Sequence, residues 1–392
     1  MLTRCPHCFI ELPPDRYAFR CEGSCVEEVD TVLSLARGSE ELATPAFDAG
    51  PTPDTHRESA DCPQCRMPSS QEVCPTCHYA LLRGWRWCTT TCLAMAGARA
   101  SGKSIYIGVL VKQAQLWCER YGHAMVAPDP RTDEQYSRVY ETPLFERRGL
   151  IPPTPTAAAR LSPQREPLVY DMGQFEGPFG PRHHMLVLRD VAGEDLESVT
   201  TAPGPFAFFG NADVVTFLFD PMRLAEVRGQ LEGSIDVGHM QGGDPVDVLR
   251  NLVRLMRGGS NFGPRLVTPL ALVVGKFDTL AELADVEGGT LRDVMGNLGA
   301  TFNLDPSMEA QFLRDDADRL QAELESLLVR LNARSLLNLV DTSFEHRRMF
   351  GVSALGDLPA DSLSVSARGI APFRVLDPLK WALSRTGVIP EM

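Results

Sequence analysis

The chain has 392 residues, 44% of them hydrophobic and 23% charged, with a formal net charge of −13. That length supports a sizeable core in one large or two ordinary domains and excludes a disordered or low-complexity protein. The acidity argues against nucleic acid as a partner, because phosphate backbones need concentrated positive surface. Two counts stand out. Eight of the eleven cysteines fall in the first 77 residues, and only four of the 38 basic residues are lysines: Lys103, Lys112, Lys276 and Lys380. The N-terminal stretch MLTRCPHCFIELPPD has no apolar leader segment, and no run approaches the ~18 apolar residues of a membrane span. A cytoplasmic location is therefore expected, where clustered cysteines read as metal ligands rather than disulfides.

In chain order, residues 1–33 carry Cys5-x₂-Cys8 and Cys21-x₃-Cys25. Residues 34–61, rich in Pro, Ala, Thr and acid, read as a linker. Residues 62–88 carry Cys62-x₂-Cys65 and Cys74-x₂-Cys77. Three of the pairs are Cys-Pro-x-Cys knuckles, which aim two thiolates at one ion. Two such turns complete a tetrahedron. The expectation is two separate structural zinc ribbons, 1–33 and 62–88, each closing on its own four cysteines. Iron–sulfur ligation and redox dithiols are less supported by pairs that come in fours. Residues 1–84 hold seven basic against thirteen acidic residues, so the ribbons are expected to dock protein.

From residue 89 to 392 apolar runs alternate with helical patterns. Strands are expected at 89–96, 167–172, 184–189, 212–219, 267–274 and 347–353. Helices are expected at 103–119, 131–147, 244–257 and 376–386. Residues 307–340 should form one long helix or a pair, with an apolar stripe through Phe312, Leu320, Leu324, Leu327 and Leu331. Such alternation predicts an α/β fold, a mainly parallel sheet with helices on both faces.

Residues Gly97-Ala98-Arg99-Ala100-Ser101-Gly102-Lys103-Ser104 match G-x-x-x-x-G-K-S between a strand and a helix. In such a phosphate loop the backbone N–H groups should cradle phosphate oxygens, Lys103 should reach the β and γ phosphates and the Ser104 hydroxyl should ligate Mg²⁺. Three further motifs each end an apolar strand, where open α/β sheets bind ligands: Asp190-Val191-Ala192-Gly193-Glu194, Gly275-Lys276-Phe277-Asp278, and Ser353-Ala354-Leu355.

With these motifs in order, residues 89–388 resemble the translation-factor and Ras-like class of P-loop GTPases. The resemblance implies a GTPase binding GTP or GDP with Mg²⁺. It gives Asp190 the magnesium shell, Gly193 an N–H to the γ-phosphate, Asp278 beside Lys276 the guanine ring donors, and Ser353, Ala354 and Leu355 guanine O6. Gly275 departs from the usual Asn or Thr, removing a side chain that ties this loop to the phosphate loop. A switch threonine should lie between the first helix and the second strand, with Thr154 and Thr156 as candidates that sequence does not separate. Glu194 stands where a water-orienting Gln is usual. Arg99 is either an arginine finger in cis or a residue paired with an acid. Long spacings, 86 residues between Lys103 and Asp190 and 74 between Asp278 and Ser353, imply helical insertions. The Asp-x-Ala-Gly-Glu run and the tail Asp377-Pro378-Leu379-Lys380-Trp381 look like the bacterial double-GTPases, tied to regulatory or conflict systems. That likeness implies a GTPase-activating-like protein or a second GTPase as partner. The leading reading is a GTP-hydrolysing switch; the alternative is a non-hydrolysing, GTP-bound scaffold.

Overall fold

A computed structural model describes residues 3–51, 57–152, 166–176, 180–197, 204–231, 243–286, 291–357 and 364–392. The main body is a six-stranded sheet. In chain order its strands are β1 (Thr89–Ala96), β2 (Leu168–Phe175), β3 (Arg182–Arg189), β4 (Val214–Phe219), β5 (Leu270–Val274) and β6 (Arg347–Gly351). Their spatial order is β6-β5-β4-β1-β3-β2, and only the edge pair β2–β3 is antiparallel. β1, β4 and β5 are buried at every residue, as a parallel sheet covered on both faces requires. The expected α/β architecture is observed.

The principal helices are α1 (Lys103–Arg120), α2 (Pro245–Met256), α3 (Arg314–Arg330), α4 (Arg334–Ser343) and α5 (Asp377–Arg385). α2, α3 and α4 cover one face through Leu249, Leu252, Leu320, Leu324 and Val340. α1 and α5 cover the other through Ile107, Leu110, Ala114, Leu379 and Leu383. The 307–340 pattern is thus a pair. Asn332, at a left-handed φ of 58°, breaks it between α3 and α4. Phe312 leaves the expected stripe: it precedes α3 and packs with the α1–α5 face. The 131–147 helix divides into Pro130–Tyr136, capped by the Asp129 carboxylate, and a wider-turned Ser137–Glu146 that contains Pro143.

The N-terminal region departs from the expected two ribbons and linker. Strand Ala46–Pro51, inside the expected linker, pairs antiparallel with Arg16–Arg20, which pairs on its other edge with Gln71–Val73. One three-stranded sheet therefore draws on all three expected pieces. The cysteines also regroup. Cys5, Cys8, Cys74 and Cys77 form one cluster, and Cys21, Cys25, Cys62 and Cys65 the other. Strand polarity is the cause. Ala18 faces Val73 and Arg20 faces Gln71, so Cys74 emerges at the end of Arg16–Arg20 opposite to Cys21. Five extended residues span about 17 Å, too far for both to share an ion. The module is cross-braced, not two ribbons in series.

Candidate nucleotide site and metal centres

The phosphate loop turns through left-handed Ala100 (φ 58°) and Gly102 (φ 92°) before α1. Gly97 must lack a side chain: a Cβ there would stand 2.1 Å from the Leu218 carbonyl oxygen of β4. Lys103 is buried, and its Nζ donates to the carbonyls of Gly97 (2.8 Å) and Ala98 (3.0 Å). Burial pushes its pKa down, against the charges of Asp190 and Glu197.

β3 delivers Asp190 to the same place. The Ser104 hydroxyl donates to Asp190 Oδ2 at 3.5 Å, while Oδ1 is buried with no hydrogen-bond partner. Burial raises the carboxyl to about 6, with Lys103 pulling it down. A desolvated carboxylate oxygen beside a hydroxyl is an oxygen donor pair that suits a hard divalent cation, so Asp190 and Ser104 fit Mg²⁺. Gly193 lies directly on the phosphate loop, since a Cβ there would meet the Arg99 amide nitrogen at 2.1 Å.

Arg99 and Glu194, both assigned to hydrolysis from sequence, pair with each other at 3.0 Å, each side chain over a third exposed. Sequence reading missed Glu197. Its Oε1 accepts the amides of Arg99 (2.8 Å) and Gly243 (2.9 Å), placing an anion on the phosphate loop. Glu197→Ala should therefore raise nucleoside-triphosphate affinity about tenfold, by removing like charge and freeing a donor. Fluorescent-nucleotide titration checks it; unchanged or weaker binding would reject the competition.

At the end of β5, Lys276 adopts φ 48° and its Nζ reaches Asp220 Oδ2 (2.6 Å) and the Ala100 carbonyl (3.2 Å). The tie to the phosphate loop that Gly275 lacks is thus supplied by the next residue. Gly275 itself is cramped, with Leu218 carbons 3.2 Å from a Cβ position. Asp220, at the tip of β4, was not singled out from sequence. Its place at a strand's C-terminal end was the available signal. Asp278 Oδ1 accepts the Ser353 hydroxyl, whose oxygen also receives the Gly356 amide at 2.9 Å. Burial raises the Asp278 pKa. Ala354 and Leu355 continue this loop, and the Leu355 carbonyl accepts the Ala371 amide. Thr154 and Thr156 lie outside the described residues.

The tail motif has a structural task. Arg374, fully buried, bonds Asp377 and Asp316, and buried Lys380 donates to the Ser307 carbonyl at 3.2 Å.

In the cysteine module, sulfur contacts are 3.6 Å (Cys5–Cys77) and 3.7 Å (Cys8–Cys74) in the inner cluster, and 3.5 Å (Cys21–Cys65) and 3.8 Å (Cys25–Cys62) in the outer. All sulfurs of a cluster lie within 4.8 Å of one another. A tetrahedron of zinc–sulfur bonds near 2.3 Å needs edges of about 3.8 Å. Both sets fit that ion. The module also reaches the segments flanking the phosphate site. Tyr79 donates to Glu166 Oε2 at 2.9 Å, Arg37 pairs with Oε1, and Leu35 lies against Gly204.

The protein named "Putative ESX-1 scaffolding and assembly protein SaeC", from Mycolicibacterium smegmatis, is 39% identical over 401 residues, covering 99% of this chain and 100% of that one. The chain belongs to the SaeC family. No protein-family profile matches this SaeC-family chain. Looser structural likenesses include three solved proteins. Sup35 complexed with GMPPNP has a TM-score of 0.24 and 16% identity, over 69% of this chain and 38% of that one. The S. cerevisiae Ski7 GTPase-like domain bound to GTP has a TM-score of 0.29 and 11% identity, over 76% and 50%. The bacterial selenocysteine-specific elongation factor EF-Sec has a TM-score of 0.26 and 13% identity, over 76% and 29%. The chain thus spans half or less of those structures' lengths, and its fold stands on strand order and loop geometry. No described helix is long and apolar enough to cross a membrane.

Proposed function

We propose that this chain is a Mg²⁺-dependent guanine-nucleotide switch that acts in the cytosol in ESX-1 scaffolding and assembly, the role in the name of its M. smegmatis relative. One observation carries the reading. The tips of β1, β3, β4, β5 and β6 converge the phosphate loop, Asp190, Asp220, Lys276–Asp278 and Ser353 at one end of the sheet. Gly97 to Ser104 would hold the phosphates. Ser104 and Asp190 would hold Mg²⁺, which neutralises phosphate charge when bound. Asp278 would accept two guanine ring donors, and Ser353 already orients that carboxylate. The Cys₄ centres, filled by zinc, would make residues 3–88 a folded platform that docks protein and stays attached to the nucleotide domain.

The test is affinity and turnover with GTP, ATP and xanthosine triphosphate. Wild type should prefer GTP over ATP by about a hundredfold or more, because adenine leaves the buried acid unpaired. Asp278→Asn should move preference toward xanthosine triphosphate. Equal affinity for GTP and ATP in wild type would reject the base assignment.

A second reading, a GTP-bound scaffold that does not hydrolyse, is favoured by the Arg99–Glu194 pair. An ion pair holds both candidate hydrolytic groups in a mutual contact. Single-turnover hydrolysis decides between the two: no measurable turnover by wild type supports the scaffold. Where wild type turns over, a rate at least about tenfold lower in Arg99→Ala supports a finger in cis, and an unchanged rate rejects the finger.

A further inference from the structure

Arg189 is the last residue of β3, and Asp190 follows it directly. Neighbouring side chains on a strand point to opposite faces. Asp190 faces Ser104, and Arg189 turns into the cysteine module. Its guanidinium is buried. Nη1 donates to the His7 carbonyl at 2.5 Å, inside the Cys5-Pro6-His7-Cys8 knuckle. The guanidinium carbon stands 3.9 Å over the Phe208 ring, and Phe208 packs edge-on against Phe9, 5.4 Å away. His7 stacks on Tyr79 at 5.0 Å.

A guanidinium this deep needs a compensating negative charge. The thiolates of Cys77 and Cys8 and the carboxylate of Glu166 all favour its charged form, against burial. Four thiolates around a divalent ion carry a net charge of −2 by formal counting, which suits a single buried cation. The inner centre and Glu166 together favour the buried cation. The outer centre, Cys21–Cys25–Cys62–Cys65, has no such link to β3 among the described contacts.

We propose that Arg189 is a positioning residue through which the inner metal centre holds Asp190 against the phosphate loop, so that metal occupancy in the cysteine module sets Mg²⁺-nucleotide affinity. The nucleotide arm rests on the function proposed above; the mechanical arm does not. β3 is hydrogen-bonded to β1 up to the Arg189–Ala94 pair and then releases into Asp190. With His7 gripping Arg189, the strand end has no freedom to slide or twist. With the inner ion gone, the knuckle that supplies the His7 carbonyl loses its shape and the grip goes with it.

The full-length, zinc-loaded chain is compared with Arg189→Met, with Arg189→Lys and with the outer-centre double variant Cys25→Ser/Cys65→Ser. Hydrogen exchange over residues 187–193 is read without nucleotide. The Mg²⁺ midpoint for fluorescent GTP binding is read separately. Arg189→Met should exchange about tenfold faster over 187–193 and need about tenfold more Mg²⁺, the range known for groups that orient metal ligands. Arg189→Lys keeps the charge but loses the fork and the ring stacking, and should show a smaller shift of the same sign in both. The outer-centre variant should stay within about twofold of wild type in both. Unchanged exchange in both Arg189 variants, or an equal effect from the outer centre, overturns the brace. If wild type binds no guanine nucleotide, the proposed function fails on that result, while exchange over 187–193 still decides the brace.

Discussion

Cys74→Ser is expected to destabilise the N-terminal module and to lower the stability of the whole chain, whereas Cys25→Ser should cost much less. The two centres differ in what surrounds them. Cys5, Cys74 and Cys77 are buried within the same core as Phe9, Leu12, Tyr79, Leu81 and Trp85, and that core is continuous with one face of the sheet. The outer centre lies beside a small cluster of Tyr17, Phe19 and Ala60. Structural zinc sites carry about 10 kcal/mol of apparent folding energy, more than the margin a domain usually has. Losing the inner ion also releases tethers into the body: the Arg4–Asp213 ion pair at 3.3 Å and the Arg4 amide on Thr90 Oγ1 at 3.1 Å. Thermal unfolding with zinc counted per chain checks this. Wild type should hold two ions and unfold in one transition. Cys74→Ser should hold one and show an early transition. Equal losses from Cys74→Ser and Cys25→Ser would contradict the difference in burial.

The body of the fold was legible because its signals are local. Short, largely apolar runs of five to eight residues marked the strands, and each loop motif sits at a strand end, so order along the chain translated directly into one end of the sheet. Asp190, Ser104, Lys276 and Asp278 come together for that reason. The cysteine module was not legible in the same way. Each knuckle is local, but which knuckles share an ion is decided by antiparallel pairing of Gln71–Val73 with Arg16–Arg20, a contact between residues about fifty apart. Low apolarity and many prolines made 34–61 read as a linker, yet Ala46–Pro51 is an edge strand, where half-exposed small residues suffice. Glu197 and Arg189 were invisible for a related cause. Nothing in their neighbours' identities says that one lies on a phosphate-loop amide and the other on a metal knuckle.

Asp190→Asn is expected to abolish Mg²⁺-dependent nucleotide binding while making the metal-free protein more stable than wild type above pH 6. Both effects come from the same desolvated carboxyl. Burial raises its folded pKa from 3.8 to about 6, so the folded state holds its proton more tightly than the unfolded chain does. That preference contributes stability below pH 4, in full, and is lost as pH rises through 6. The difference corresponds to about 3 kcal/mol at its limit. An amide does not ionise, so the Asn variant escapes the loss. The gain is reduced because Lys103, also buried, forfeits a counter-charge. The predicted signature is therefore a shape rather than a single value. The stability difference between variant and wild type should be small and flat near pH 4, grow in favour of Asn between pH 4 and 6, and level off above. Mg²⁺ should close the gap by stabilising wild type alone, since it binds the ionised acid. Denaturant unfolding at pH 4, 5, 6 and 7.5, with and without Mg²⁺, measures it. A pH-independent difference would mean that Asp190 ionises as easily in the folded protein as in water, and the buried, unpaired oxygen that points to a cation would lose its physical basis.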